Sequence, residues 1–123
     1  MLKKENRLKS SSAFSATYKN RNTVSNDYMI LYAGKNKLDK NCPTRVGFVV
    51  SKKVSKRAVK RNKIKWLMRE KVRQMFLDND SLNLLNAYQS LILSAKPKII
   101  ELENKEISNI ILILFDMLAN KNI

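Results

Sequence analysis

Lysines and arginines crowd into one stretch of this sequence, residues 51–73. Eleven of them fall within residues 52–73, where only Glu70 carries the opposite charge. The chain of 123 residues has a formal net charge of +15, so this stretch, called here the basic segment, holds most of the excess. A dense positive segment attracts polyanions and displaces the counterions around them. The chemistry predicted for these residues is therefore the binding of phosphates.

Side chains for acid–base or metal chemistry are scarce by comparison. The sequence has no histidine and only one cysteine, Cys42. The commonest general base, the commonest zinc ligand and a disulfide within the chain are therefore excluded. The ten carboxylates are scattered, and no nucleophile–base pair or phosphate-binding glycine loop is present. We expect no protein active site, and we assign no metal ligand.

The basic segment has the spacing of an amphipathic helix, which we expect from residue 57 or 58 to residue 77. Apolar side chains recur at intervals of three and four and would form one stripe. Cationic side chains recur at intervals of four and would form a second row. The stripe comprises Ile64, Leu67, Met68, Met75 and Phe76, and the row comprises Arg57, Arg61, Lys65, Arg69 and Arg73. A solvated basic face on an ordinary core helix is the plainer interpretation, but the +15 charge favours polyanion binding.

A short helix should precede the basic segment. One of the serines at positions 10–12 can cap it, and it should run to about residue 19. On this helix Phe14 and Tyr18 are four residues apart and share a face. They are either core residues or a platform on which nucleic-acid bases stack.

Three strands are predicted at residues 27–33, 45–51 and 88–94 from their aromatic and β-branched content. In the first strand the even-numbered residues, Tyr28 among them, would face one way and the odd-numbered residues the other. Gly47 lies inside the second strand, which indicates a close approach to its backbone or a bulge.

The remaining segments connect these elements and close the fold. We expect a polar turn at residues 20–26, a charged loop at 34–43 and a break at 78–81, and residues 81–87 have no clear pattern. Pro97 should lie outside the sheet. A last helix is predicted at residues 101–119, with acidic residues near its start, where the helix dipole favours them. The order of elements predicts one α+β domain, residues 1–123.

Composition also bears on location and on the mode of binding. Leu2 is followed by two lysines, and no stretch reaches the length of a membrane span, so we expect a cytoplasmic protein without a signal peptide.

Lysine outnumbers arginine, and lysine acts as a point charge. Recognition of RNA or DNA through shape and phosphates is therefore favoured over the reading of base edges.

Residues 45–70, RVGFVVSKKVSKRAVKRNKIKWLMRE, closely resemble the signature region of the bacterial ribonuclease P protein subunit. That family has a strand of RVG type, then SKK, then a helix that opens with an Arg-Asn-Arg-x-Lys-Arg pattern. The pattern reads RNKIKW in this chain, so Lys63 replaces the usual arginine and Trp66 replaces a usual basic residue. The opening, LKKENRLKSSSAFSATYKN, and the strand and basic-Pro turn at residues 88–97 also resemble the family.

The resemblance implies an α–β sandwich with three helices and a left-handed βαβ crossover, similar to domain 2 of ribosomal protein S5. It implies two partners, the catalytic RNA of ribonuclease P and precursor tRNA. The RNA subunit, using Mg²⁺ as its cofactor, would hydrolyse the bond that releases the 5′ leader and so produce the mature tRNA 5′ end. The resemblance implies neither a protein partner nor a membrane.

Two groups of site residues follow from the resemblance. In that family the helix with the Arg-Asn pattern faces the catalytic RNA, and we include three further lysines of the basic segment. These residues are Lys52, Lys53, Lys56, Arg57, Lys60, Arg61, Asn62, Lys63, Lys65 and Arg69. In that family a central cleft holds the single-stranded leader. Its residues in this chain are Phe14, Tyr18, Tyr32, Tyr28 and Phe48.

Other functions are weighed beside this one. A ribosomal or general structured-RNA-binding protein without a role in cleavage would account for the charge but not for the RNKIKW pattern, and the RNA that copurifies would separate the two. A membrane-surface or partner-binding protein that uses its basic helix would bind liposomes only when they contain anionic lipid, and this function would leave Phe14 and Tyr18 without a role. A stand-alone nuclease lacks catalytic groups in the sequence.

Overall fold

The computed structural model describes residues 4–19, 22–35, 42–78 and 85–121. The described helices and strands are α1 (Ser11–Lys19), β1 (Asn22–Ser25), β2 (Met29–Ala33), β3 (Arg45–Val49), α2 (Ala58–Leu77), β4 (Ser90–Ala95) and α3 (Asn104–Lys121). Two 3-10 helices, Lys4–Asn6 and Pro97–Glu101, precede α1 and α3. The predicted α+β class and the three predicted helices are confirmed.

The strands form one sheet in the order β1-β2-β4-β3. β2 pairs antiparallel with both β1 and β4, whereas β3 pairs parallel with β4. Because β3 and β4 are parallel neighbours joined through α2, they form the predicted βαβ crossover. The left-handedness of this crossover and the similarity to domain 2 of ribosomal protein S5 stay predictions.

One face of the sheet carries the hydrophobic core. In β2, Met29 and Leu31 are buried and Ile30 and Tyr32 are half-buried, which confirms the predicted alternation. Leu31 lies opposite Leu93 of β4, and both belong to the core. The helices α2 and α3 cover this face and pack against each other. The predicted apolar stripe of α2 is confirmed, with Ile64, Met68 and Met75 buried and Leu67 and Phe76 partly buried against the core.

The other face of the sheet carries α1. Ser10 caps this helix, since its Oγ accepts a hydrogen bond from the Ala13 N–H at 3.1 Å. The buried Thr17 hydroxyl donates to the Ala13 carbonyl at 2.8 Å, so the Ser90 hydroxyl donates to Thr17 Oγ1 at 2.6 Å. This bond fixes the end of α1 nearest the start of β4.

The N-terminal segment closes the free edge of β3. Asn6 Nδ2 donates to the Thr44 carbonyl at 2.8 Å, and Leu8 N–H donates to the Val46 carbonyl at 3.1 Å. Arg7 forms a parallel bridge with Val46. The predicted basic opening therefore lies beside the second predicted strand.

Two sequence predictions are wrong in detail. Part of the expected polar turn at residues 20–26 is the strand β1, because Val24 is buried and the segment pairs along β2. The last helix begins at Asn104 rather than residue 101, because Pro97 starts a 3-10 helix after the sheet. Much of the expected loop at 34–43 and the break at 78–81 lies outside the described residues.

No helix in the described ranges has the length and apolar character needed to span a bilayer.

Candidate nucleic-acid interface

The loop before α2 holds three lysines in solvent. Its Val54 is buried in the core, and the Val54 N–H donates to the Ser51 carbonyl at 3.0 Å. The turn around Val54 therefore fixes the loop while Lys52, Lys53 and Lys56 remain exposed.

Arg61 ties this loop to α2. Its Nη1 donates to the carbonyls of Ser55 at 2.9 Å and Lys56 at 3.0 Å. The guanidinium has further N–H donors and keeps its charge, so it can still bind phosphate. Arg61 thus positions the lysines of the loop as well as adding to their charge.

The cations of α2 lie on two flanks of the helix. Arg61, Lys65 and Arg69 follow one flank, towards β3, and the Arg69 guanidinium lies 5.9 Å from the centre of the Phe48 ring. Lys60 and Lys63 follow the other flank, where they border a groove that Ile99 also lines. The predicted row of cations therefore lies on one of two basic flanks of α2. The two flanks and the loop before α2 are together called the basic face.

The positive charge at the start of α2 favours the binding of an anion and destabilises the helix. Lys56, Arg57, Lys60 and Arg61 surround the helix N-terminus, where the dipole is already positive, and Arg57 makes no side-chain capping bond. Cations there destabilise a helix and favour a bound anion. Farther along, Arg73 Nε donates to both Glu70 oxygens at 3.0 and 3.1 Å, and this bond lowers the pKa of the Glu70 carboxyl.

Aromatic residues gather on the opposite face of the sheet. The Tyr18 and Tyr32 rings form a T-shaped pair with 4.8 Å between their centres, and the centre of the Phe14 ring lies 6.4 Å from that of Tyr18. Tyr18 is 42% exposed. Burial, followed by the proximity of Tyr32, raises the pKa of Tyr18, so its hydroxyl stays protonated and can donate a hydrogen bond.

Phe14 is the more structural member of this group. A Cβ atom added to Gly47 would lie 2.5 Å from Phe14 Cζ, so the ring packs directly on the strand. The close approach predicted at Gly47 is confirmed, and only glycine admits the ring there without a shift. Phe14 is half-buried, which leaves part of the ring accessible.

Tyr28 immediately precedes β2, at the end of the sheet where β4 finishes, and alternation along the strand puts it on the same face as Tyr32. Its backbone carbonyl accepts from Lys96 N–H at 2.8 Å, which extends the β2–β4 ladder, and the Lys98 ammonium lies 5.7 Å from its ring centre. Phe14, Tyr18, Tyr28 and Tyr32 are called the aromatic face.

Phe48 does not share the aromatic face. It alternates with Gly47 along β3 and packs against the core beneath Arg69. Phe48 and Phe14 nevertheless border one crevice of about 280 Å³ at the edge of β3. Arg7, Lys9 and Arg69 also line it, so this edge crevice joins the basic face to the aromatic face. A contact between Phe48 and a leader stays a prediction.

Arg7, Lys9 and Lys98 were not among the predicted site residues. Arg7 and Lys9 reach the edge crevice because their segment follows β3, and Lys98 reaches the Tyr28 ring because Lys96 is bonded to the Tyr28 backbone. The signals were the cations at residues 3–9 and beside Pro97, to which no site role was given.

Comparison with known proteins places this geometry in a family. The family model described as Ribonuclease P matches residues 2–119. The ribonuclease P protein component of Clostridium kluyveri is 37% identical over 90 residues, covering 73% of this chain and 74% of the relative. That of Alkaliphilus oremlandii is 34% identical over 111 residues, covering 90% and 89%.

A solved structure of the Staphylococcus aureus RNase P protein superposes with a TM-score of 0.75 at 30% identity, covering 93% of this chain and 95% of that one. Sequence, fold and matched length therefore agree, and the chain belongs to the ribonuclease P protein family.

Proposed function

We propose that this chain is the protein subunit of ribonuclease P and binds two RNAs on different surfaces. The basic face binds the catalytic RNA, and the aromatic face binds the 5′ leader of precursor tRNA. The RNA subunit performs the endonucleolytic cleavage that produces the mature tRNA 5′ end, and the protein assists by positioning and by neutralising charge. Family membership makes a ribosomal role the weaker alternative.

The observation that carries this proposal is the position of the edge crevice. Cations of α2 lie on one side of β3 and the aromatic residues of α1 lie on the other. Phe14, Phe48 and Arg69 border the crevice together. The single-stranded leader of a precursor tRNA bound to the catalytic RNA can therefore pass along this edge. Its phosphates would lie near the cations and its bases near the aromatic rings.

The basic face lowers the repulsion between RNA phosphates. Each lysine or arginine that neutralises a phosphate releases a counterion, which favours binding at low salt. Exposed cations on the loop and on both flanks of α2 can reach separate phosphates at once. Such a surface recognises the shape of a folded RNA rather than its sequence.

The aromatic face suits a leader of any sequence. Bases stack on aromatic rings with little regard for their identity, and each stacked base contributes about 1–3 kcal/mol. Tyr18 presents both an accessible ring and a protonated hydroxyl, so it can stack on a base and donate to a phosphate.

Magnesium and compartment complete the proposal. Mg²⁺ serves the RNA-based active site. Within the described residues no three His, Cys, Asp or Glu side chains come together, so they do not fit a protein-held metal and we assign no ligand. The protein works in the cytoplasm, with precursor tRNA.

Leader binding is tested on Tyr18 rather than on Phe14, because the Phe14 ring also packs on Gly47. In the holoenzyme, Tyr18→Ala should weaken binding of precursor tRNA by about fivefold or more, the loss of one stacked base. Mature tRNA has no leader, so its binding should not change. Affinities for the two tRNAs, measured with Ca²⁺ in place of Mg²⁺ to slow cleavage, make the comparison.

The matched control is Tyr18→Phe, which retains the ring and should retain most of the affinity. Melting temperatures of both variants verify the fold. Equal losses for precursor and mature tRNA at an unchanged melting temperature would contradict leader binding by the aromatic face.

A further inference from the structure

Trp66 lies in the middle of α2 with 60% of its surface exposed. It is two residues from both Ile64 and Met68, which are buried, so it lies about 200° around the helix from each. A side chain in that direction points away from the core. Tryptophan is highly buried on average, and it is enriched among the residues that contribute most to binding a partner.

The surroundings of Trp66 select the partner. Lys63 lies one turn before it and Arg69 one turn after it, and both are exposed. The only nearby carboxylate on α2 is Glu70, which already accepts two hydrogen bonds from Arg73. An aromatic ring between cations, with the adjacent negative charge neutralised, suits a base flanked by phosphates.

We infer that Trp66 stacks on an unpaired base of the catalytic RNA. This inference rests on the proposed function of the basic face. Bases inside an RNA helix are covered by their neighbours, whereas unpaired bases in loops and bulges can stack on aromatic side chains. Lys63 and Arg69 then hold the phosphates on either side of that base. The stacking contact of Trp66 does not depend on counterion release. A lysine or arginine at this position would instead have bound a phosphate and released a counterion.

Trp66 is the only tryptophan in the chain, so its fluorescence reports this contact directly. Addition of transcribed ribonuclease P RNA to the full chain should quench the emission before any tRNA is present. Trp66→Ala should weaken binding of this RNA between about fivefold and 150-fold, the range for one base stacked on an aromatic side chain. The slope of log affinity against log salt should not change, since no charge is lost. Trp66→Phe should recover most of the affinity.

The matched control is Leu77→Ala, which removes another exposed apolar side chain of α2 and should leave RNA binding unchanged. Wild-type affinity in Trp66→Ala, or a Trp66→Phe variant as weak as Trp66→Ala, would overturn the stacking inference alone. Quenching that appears only after precursor tRNA is added would overturn its assignment to the catalytic RNA. A wild-type chain that fails to bind the catalytic RNA would overturn the proposed function and the inference with it.

Discussion

At the scale of single residues, Arg61 serves the fold and the interface together. Its Nη1 holds the carbonyls of Ser55 and Lys56, and these residues belong to the loop that presents Lys52 and Lys53. Lys63, two residues farther on, is exposed on the other flank of α2. The two cations should therefore respond differently to truncation.

Arg61→Ala should lower the free energy of unfolding by about 1–3 kcal/mol, because two hydrogen bonds from a charged donor are lost. It should also weaken RNA binding, and each lost phosphate contact should flatten the slope of log affinity against log salt by about 0.7–0.9. Lys63→Ala should flatten the slope by the same amount without a change in melting temperature. Thermal melts and salt titrations measure both effects.

Arg61→Lys separates the two contributions of this residue. It keeps the charge but loses the guanidinium fork, so the slope should hold while the melting temperature falls. An Arg61→Ala variant as stable as the wild type would contradict the loop-holding contact.

The sequence was sufficient to predict that Arg61 belongs to a basic helix. It was not sufficient to predict the hydrogen bonds from Arg61 to the carbonyls of Ser55 and Lys56. Those bonds depend on the path of the loop, which is set by burial of Val54 in a core formed by distant residues. The same limit applied to Phe48. Its aromatic character was evident, but which face of the sheet it occupies depends on the register of β3 against β4.

At the scale of elements, the position of α1 depends on Gly47. The Phe14 ring occupies the space that a side chain on Gly47 would need. Thr17 and Ser90 fix the same helix through a hydrogen bond of 2.6 Å. The aromatic face therefore exists because a small residue in β3 allows α1 to lie close to the sheet.

Gly47→Ala should destabilise the protein by about 1–3 kcal/mol, because the added methyl group displaces the Phe14 ring. In a Phe14→Ala background the nearest remaining atom is Leu8 Cδ2 at 3.2 Å, so the same change should cost less. A double-mutant cycle of unfolding free energies measures this coupling. Additive effects of the two changes would contradict the direct packing of Phe14 on Gly47.

The elements themselves were largely predictable. The 3.6-residue period of α2 and the alternation of β2 are properties of local sequence, and both are confirmed. β1 was not predicted because its sequence, NTVS, has a single apolar residue. It is a strand because β2 offers a free edge, and long-range pairing of this kind overrides local propensity.

At the scale of the whole molecule, the sheet separates the basic segment from the aromatic face. The cations of the basic segment lie on the side of α2, and the rings of α1 lie on the other side. Residues 74–123 carry four cations against six carboxylates, so the C-terminal part adds no net positive charge. This uneven charge follows from sequence alone, whereas the meeting of the two surfaces at the edge crevice depends on the fold. The assignment of residues 1–123 to one domain stays a prediction.

The central claim is that the protein assists a catalytic RNA by supplying positive charge and performs no cleavage itself. The most direct measurement is the Mg²⁺ concentration at half-maximal cleavage of precursor tRNA by the catalytic RNA, with and without this protein. The protein should lower that concentration, because its cations replace Mg²⁺ as counterions to the RNA phosphates. The double variant Lys60→Ala/Lys63→Ala should lower it less, and the protein without RNA should cleave nothing. An unchanged Mg²⁺ requirement, or cleavage by RNA-free protein that follows the protein through purification, would contradict the account.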